Sequence, residues 1–227
     1  MRDTEKGTPL EKVIGFAKKL NQKRRFLHRV NQFSLYGNAA VASIEEALGS
    51  EGLIYFATCG TLLGLIRENR LLKRDYDLDY GVLIEKETDW QRIESCLLAK
   101  GFKMIRYFSL DGKITEQTYR NTHGVEIDIF GHFIIEQELC FYSYDKLPEV
   151  QYPTEDAWSA YILKNGSYRG VKQIETSIGV ISVPQNAEEY LTYNYNDDWR
   201  IPNPDFKANS GKGCYLLKNT FGRITLL

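Results

Sequence analysis

Asp75, Asp77 and Asp79 stand two residues apart in the segment DYDLDYGVLI (75–84), and no other stretch of the 227-residue chain restricts its fold as tightly. The alternation of Asp with Tyr and Leu reads as a strand. Residues two apart in a strand share a face, so the three carboxylates form a row while Tyr76, Leu78 and Tyr80 face into packing. Like charges in a row disfavour one another's ionised form. Either the row is a solvated acidic face balanced by Lys73 and Arg74, or it holds a divalent cation. Mg²⁺ takes oxygen ligands, commonly one or two carboxylates completed by water and phosphate oxygens.

Two further features bear on that choice. In GVEIDIFGH (124–132), Asp128 lies between Ile127 and Ile129 in an apolar run that predicts a mostly buried strand. A lone carboxylate there needs a partner, which is either an Arg or Lys of a neighbouring strand or a metal shared with the first row. In CGTLLG (59–64), Gly60 and Thr61 fall at a strand-to-helix turn. Backbone N–H groups and the positive helix end favour phosphate at such a turn. Thr61 is placed as both N-cap and phosphate donor, and Arg67 reaches the same anion from one turn further on.

The surrounding pattern is of the α/β class, α+β in type. Residues 9–31 and 38–48 read as two helices, the second ending at Gly49. LIYFA (53–57) predicts a buried strand and TLLGLIRE a helix, and residues 87–101 predict a helix stopped by Gly101. Four strand-like stretches follow near 102–109, 114–120, 124–130 and 132–142. The Tyr-rich segment 143–176 reads as loops with short elements. A short strand ends in ISVPQ (181–185), and Asn186 caps a further helix. The last thirty residues read as an irregular wrap. The division expected is an N-terminal helical element at 1–50 and a catalytic domain at 51–227.

Composition excludes several classes. A net charge of -1 is poor for broad contact with nucleic-acid backbone. Cys59, Cys96, Cys140 and Cys214 form no CxxC pair, and His28, His123 and His132 show no ligand spacing, so neither a disulfide scaffold nor a zinc site is expected. No stretch has the length and apolarity of a signal peptide or a membrane span.

Strand, Gly-Thr turn, helix, Asp-x-Asp strand and a later strand with one Asp is the layout of the nucleotidyltransferase (polymerase-beta-like) fold. CGTLLGLIRENRLLKRDYDLDYGV resembles the hallmark segment of the LicD and fukutin family. VEIDIF is similar to that family's later metal-binding strand, and VPQNAEEYLTYNYNDDWRIP (183–202) to its closing signature. The resemblance spans about 53–205. It departs from the family at Leu72-Lys73-Arg74, where Ile-Pro-Trp or Ile-Pro-Tyr is usual, and at Asn196, which follows Tyr195 in place of Gly. The first departure touches substrate contacts, and neither touches Asp77, Asp79 or Asp128.

The resemblance implies a mixed sheet with N-terminal helices and transfer of a phosphorylated alcohol, such as phosphocholine or ribitol phosphate. The donor would be CDP-linked and the acceptor a glycan hydroxyl of a cell-surface polysaccharide, lipid-linked or free. It implies Mg²⁺ or Mn²⁺ held by Asp77, Asp79 and Asp128, donor contacts from Gly60, Thr61 and Arg67, and Asp75 beside them. Nucleotidyl transfer to a small molecule or RNA, or a non-catalytic binding module of the same fold, are the other readings. A cytoplasmic location is expected, with room for peripheral contact at the inner membrane face. That contact would come from helix 9–31, whose polar side carries Lys12, Lys18, Lys19, Lys23, Arg24, Arg25 and Arg29 beside Val13, Phe16, Leu20 and Leu27. The competing expectation is a core-packed helix with a solvated basic back.

Overall fold

The structure is a computed structural model that describes the backbone of residues 9–227 and the side chains from residue 15 onward. The two helices expected at the N-terminus are one, α1, which runs unbroken from Pro9 to Ser50. Nothing between 32 and 37 stops a helix except Gly37, which costs about 1 kcal/mol relative to Ala. Gly37 is also where α1 approaches Leu71 most closely, since a Cβ there would stand 3.0 Å from Leu71 Cδ1. Phe33, Ala40, Val41, Ile44, Ala47 and Leu48 bury one face of the second half of α1 in the core. The side chains of Lys12 and Val13 lie outside the described residues.

After α1 come β1 (Tyr55–Ala57), α2 (Cys59–Glu68), β2 (Asp77–Leu83) and α3 (Thr88–Ala99). The strands β3 (Lys103–Leu110), β4 (Lys113–Arg120), β5 (Glu126–Ile135) and β6 (Glu138–Asp145) answer to the four predicted stretches, except that β5 runs on past the expected break near 131 and the turn falls at Glu136 and Gln137. β7 (Ala157–Ser167), β8 (Val171–Thr176), β9 (Gly179–Pro184), α4 (Ala187–Tyr195) and β10 (Cys214–Leu226) complete the chain. The segment read as loops therefore contains the eleven-residue β7. Likewise, the end read as an irregular wrap is half strand, with β10 paired to both β3 and β7.

The sheet runs β1-β2-β5-β4-β3-β10-β7-β6, and a further β5–β6 pairing closes β5, β4, β3, β10, β7 and β6 into a six-stranded barrel. β2 and β1 extend it from β5, while β8 and β9 form a separate hairpin. The β2–β5 pair is parallel and the other pairings are antiparallel, so the sheet is mixed as expected. One face of β2, β5 and β4 presents Leu78, Tyr80, Ile127, Ile129 and Tyr119, all fully buried in the core with Ile93 and Leu97 of α3. The alternation that buries these residues turns the Asp residues to the other face.

Candidate active site

Parallel register puts Asp77 beside Glu126 and Asp79 beside Asp128. The antiparallel neighbour β4 sets Thr118 beside Asp128 and Arg120 beside Glu126, and β3 sets Arg106 beside Thr118. Glu116, two residues before Thr118, lies on the same face and is 6% exposed. Asp75 precedes β2, so it is not part of a strand row as the sequence suggested. It joins the cluster from the loop: a Cβ on Gly60 would meet Asp75 Oδ2 at 2.7 Å and Asp79 Oδ2 at 3.2 Å. Only glycine leaves room for both oxygens.

Three cations meet this cluster. Arg106 lies 3.3 Å from Asp128 Oδ1, and Arg120 lies 2.5 Å from Glu126. Arg29 of α1 contacts Glu126 at 2.6 Å and Asp77 at 3.6 Å. Lys73 and Arg74 are exposed and take no part. Six carboxylates (Asp75, Asp77, Asp79, Glu116, Glu126 and Asp128) thus face three guanidinium groups, a surplus of three negative charges if all ionise.

The titration behaviour follows first from burial and then, for all but Asp75, from neighbouring charge. Burial first, then Asp128 and Asp75, pushes Asp77 well above the carboxylate range. Burial followed by Asp77, Asp75 and Asp128 does the same to Asp79. Burial raises Asp75 to about 6. Burial and the charge of Asp128 push Glu116 well up, against the opposing pull of Arg106. Asp128 is raised by burial too, but Arg106 and the Thr118 hydroxyl hold part of that back. The ion pair weighed for Asp128 is therefore present, and it leaves the cluster as a whole uncompensated.

The oxygen-only donor set, its burial and its charge surplus fit a hard divalent cation. Among the described residues, no three such side chains already converge into a coordination cage. Each is turned to a protein partner instead: Asp128 to Thr118 and Arg106, Asp77 to Arg29, and Asp79 to the Gly60 N–H at 2.9 Å.

The strand-to-helix turn differs from its sequence reading. The N-cap residue of α2 is Thr58, whose hydroxyl pairs with Tyr190 OH at 2.6 Å. Thr61 sits inside the helix, 1% exposed, and its hydroxyl accepts the Asp79 N–H at 2.9 Å. It ties α2 to β2 and is not a cap. Cys59 between them has φ +41°, a left-handed conformation that is strained for a non-glycine residue and held by the buried turn around it. Gly64, the last residue of the Leu-Leu-Gly triplet, is required for packing: a Cβ there would stand 2.7 Å from Arg70 O.

Gly60 and Asp75 also open onto a cleft of about 730 Å³. Arg67, Arg70, Lys73 and Arg74 line it together with Glu68, Asp75 and Asp198, Glu68 pairing with both Arg67 and Arg70, and Tyr195, Trp199 and Phe206 contribute rings. Arg67 donates to Trp199 O at 3.2 Å and pairs with Glu68, so it spans the cleft wall. Trp199 is 4% exposed and belongs to the core, with Arg200 stacked 4.2 Å over its ring. Sequence reasoning missed Arg29, which α1 lays against the cluster, and Arg106, Glu116 and Glu126, which strand adjacency brings in with no local motif. It also missed Tyr195 and Phe206, whose rings pack 4.9 Å apart.

A buried carboxylate cluster opening onto a charged, ring-lined cleft, within a matched family domain, marks a transferase that carries a nucleotidyltransferase domain. The chain belongs to the LicD/FKTN/FKRP family, whose nucleotidyltransferase-domain model matches residues 52–170. That span includes Gly60, Thr61, Arg67 and all six carboxylates, and it stops short of Tyr195, Trp199 and Phe206.

No curated protein matches the chain. Solved structures similar to it include a solution structure of the antibiotic-resistance factor ANT(2'')-Ia, at 14% identity and TM-score 0.43, covering 76% of this chain and 77% of that one. The lincosamide antibiotic adenylyltransferase LnuA with lincomycin bound matches at 12% identity and TM-score 0.39, over 68% and 84% of the two chains. ANT(2'')-Ia in complex with adenylyl-2''-tobramycin matches at 14% and 0.42, over 75% and 81%. Likeness of that degree bears neither on fold nor on activity.

Proposed function

We propose that the protein transfers a phosphorylated alcohol from a CDP-linked donor to a glycan hydroxyl, on a polymerase-beta-like scaffold and with a divalent metal. The observation that carries this reading is the Asp79–Asp128 pair, side by side on parallel strands with Asp77 next along. This buried cluster sets six carboxyl groups against three guanidinium groups and opens at Gly60 and Asp75 onto a cleft that also carries Arg67, Arg70, Lys73 and Arg74. Asp77, Asp79 and Asp128 would hold Mg²⁺ or Mn²⁺. The cation would supply charge neutralisation at the transferred phosphoryl group.

The protein's own groups have separable tasks. Arg67, Arg70, Lys73 and Arg74 attract and orient the donor's phosphates, since preplaced cations stabilise charge without reorganising. Tyr195 and Phe206 offer ring faces to a nucleoside. In the transfer itself, the acceptor oxygen forms a new bond to the phosphorus of the moving group. The bond from that phosphorus to the oxygen of CMP breaks, and CMP leaves. The hydroxyl proton would pass to a carboxylate oxygen, the role Asp128 would take if it does not complete the metal site.

The test is ³¹P NMR of the purified protein with CDP-choline, CDP-ribitol or CDP-glycerol and a panel of glycans, with Mg²⁺ or with chelator. Cation-dependent CMP release, lost in Asp77→Asn and Asp79→Asn while both variants keep wild-type circular dichroism, is expected. Near wild-type turnover of either variant at low cation concentration defeats the metal assignment. Pyrophosphate release from a nucleoside triphosphate, with no reaction of CDP-linked donors, replaces it with nucleotidyl transfer.

A further inference from the structure

The first half of α1 behaves unlike the second. Residues 16–28 are exposed throughout, whereas burial begins only at Arg29 and Phe33. Phe16 is 71% exposed, Leu20 43% and Leu27 54%. At 100° per residue these three fall within about 40° of one another around the axis, a single apolar stripe. The contacts that hold this part of α1 to the body lie on a different side. Phe26 meets Tyr76 edge-on at 5.6 Å, and Arg29 stacks 4.2 Å over the same ring. Phe26 and Arg29 project roughly 100° or more away from the stripe. The body does not cover the stripe, and a core-packed helix is not what forms.

Charge identifies the occupant. Residues 15–31 carry Lys18, Lys19, Lys23, Arg24, Arg25 and Arg29 and no acidic residue. Lys19 and Lys23 flank the stripe on one side and Arg24 on the other. Among the described residues, no carboxylate pairs with any of these apart from the two that hold Arg29. A second copy of the same helix would set two rows of cations against each other. A nucleic-acid backbone would use the cations and leave Phe16, Leu20 and Leu27 in water. An anionic lipid surface satisfies both features, with apolar side chains in the acyl boundary and cations among the headgroups.

We propose that residues 16–28 of α1 form a membrane-surface anchor that binds anionic phospholipid. No helix among the described residues is long and apolar enough to cross a bilayer, so the contact is in the plane of the surface. The anchor is joined to the candidate active site through Arg29, which reaches Glu126 and Asp77 from the anchor's C-terminal end. Surface binding therefore fixes the carboxylate cluster close to the bilayer. The anchor is independent of which phosphoryl donor the site takes.

The test is co-sedimentation of the whole protein with vesicles, without substrates. One set is pure phosphatidylcholine and the other equal parts phosphatidylcholine and phosphatidylglycerol, each at low and high salt. Binding is expected only to the anionic vesicles and should weaken with salt. Each reversal in Lys19→Glu, Lys23→Glu and Arg24→Glu should lower partitioning roughly fivefold or more. The triple change Phe16→Ser, Leu20→Ser and Leu27→Ser should also abolish binding, and these exposed positions leave the fold intact by circular dichroism. Three outcomes overturn the proposal: no sedimentation at low salt, equal binding to neutral vesicles, or binding that ignores the apolar triple change. The last would identify a purely electrostatic surface. A change in molar mass at low salt that the triple change reverses would assign the stripe to a second copy.

Discussion

Replacing Asp75 by Asn removes one charge from the cluster and keeps its shape, so it measures what burying that charge costs the fold. Asp75 is held at about 6 in the folded protein against an ordinary value of 3.8, with burial as the main cause. A folded state that binds the proton more tightly than the unfolded chain loses stability as pH rises from 3.8 through about 6. Below that window the carboxyl is neutral in both states and costs nothing. Above it, a difference of 2.2 pH units at about 1.4 kcal/mol each amounts to about 3 kcal/mol. The Asn variant is free of this cost, and relief of Asp77 and Asp79, which both feel the charge of Asp75, adds in the same direction.

The assay is thermal unfolding in chelator, for wild type and Asp75→Asn, at about pH 4 and about pH 7.5. The two should coincide at the acid end. At the neutral end the variant should unfold higher by roughly 6–12 °C, given about 2–4 °C per kcal/mol for a chain this long. Adding Mn²⁺ should narrow the gap, because a bound cation stabilises the charged form that wild type alone supplies. Equal midpoints at both pH values, or a variant less stable than wild type near neutrality, refutes a cost for burying the Asp75 charge.

Thr61→Val should cost about 1–3 kcal/mol in urea unfolding, because the Asp79 N–H loses its acceptor inside a buried turn; donor and acceptor affinities should fall together, since the hydroxyl ties α2 to β2. Gly64→Ala should destabilise by about 1–3 kcal/mol, its Cβ meeting Arg70 O with no room to yield, and chemical denaturation checks it. At neutral pH without cation, Asp128→Asn should raise the unfolding midpoint, because it removes charge and keeps an acceptor for Thr118. Asp128→Ala should fall below the Asn variant, since it strands both the Thr118 hydroxyl and Arg106.

The parts of this molecule legible in its sequence are those whose determinants are local. The alternation in DLDY sorts Asp from Leu and Tyr within β2, and the register sets the same sorting in VEIDIF beside it. The helices α2 and α3 follow their apolar period, and α3 ends just before Gly101, at φ +81°. Legibility fails where the determinant is a neighbour in space. β7 hides its alternation because its neighbours β6 and β10 bury it along both edges, so Tyr161, Lys164 and Asn165 interrupt any simple pattern. β10 contains Lys218-Asn219-Thr220, polar and with Asn219 at φ +55°, within a register shift that resembles a turn when read along the chain. Arg106 and Glu116 carry no motif at all. They enter the site because β3 pairs with β4 and β4 with β5, a fact of sheet order.

The same distinction explains what happened to the Gly-Thr turn. Its sequence reading assigned the Gly60 N–H to phosphate on local grounds, and that N–H does point into the site. A side chain nineteen residues away takes it: Asp79 Oδ2 accepts from Gly60 at 2.9 Å while the Asp79 N–H is held by Thr61. Asp79 is therefore bound by both its backbone and its carboxylate to the turn that would receive the donor. An incoming phosphate and the Asp79 carboxylate, both anionic acceptors, compete for one N–H. Phosphate alone would add a negative charge to a cluster already in surplus, so it is the weaker competitor. The cation that Asp77, Asp79 and Asp128 would hold in the proposed reaction would offset that repulsion and would compete with the Gly60 N–H for the Asp79 carboxylate. If the proposed cation binds there, donor affinity should rise with it, and donor titrations in the NMR assay, with and without Mg²⁺, measure that dependence.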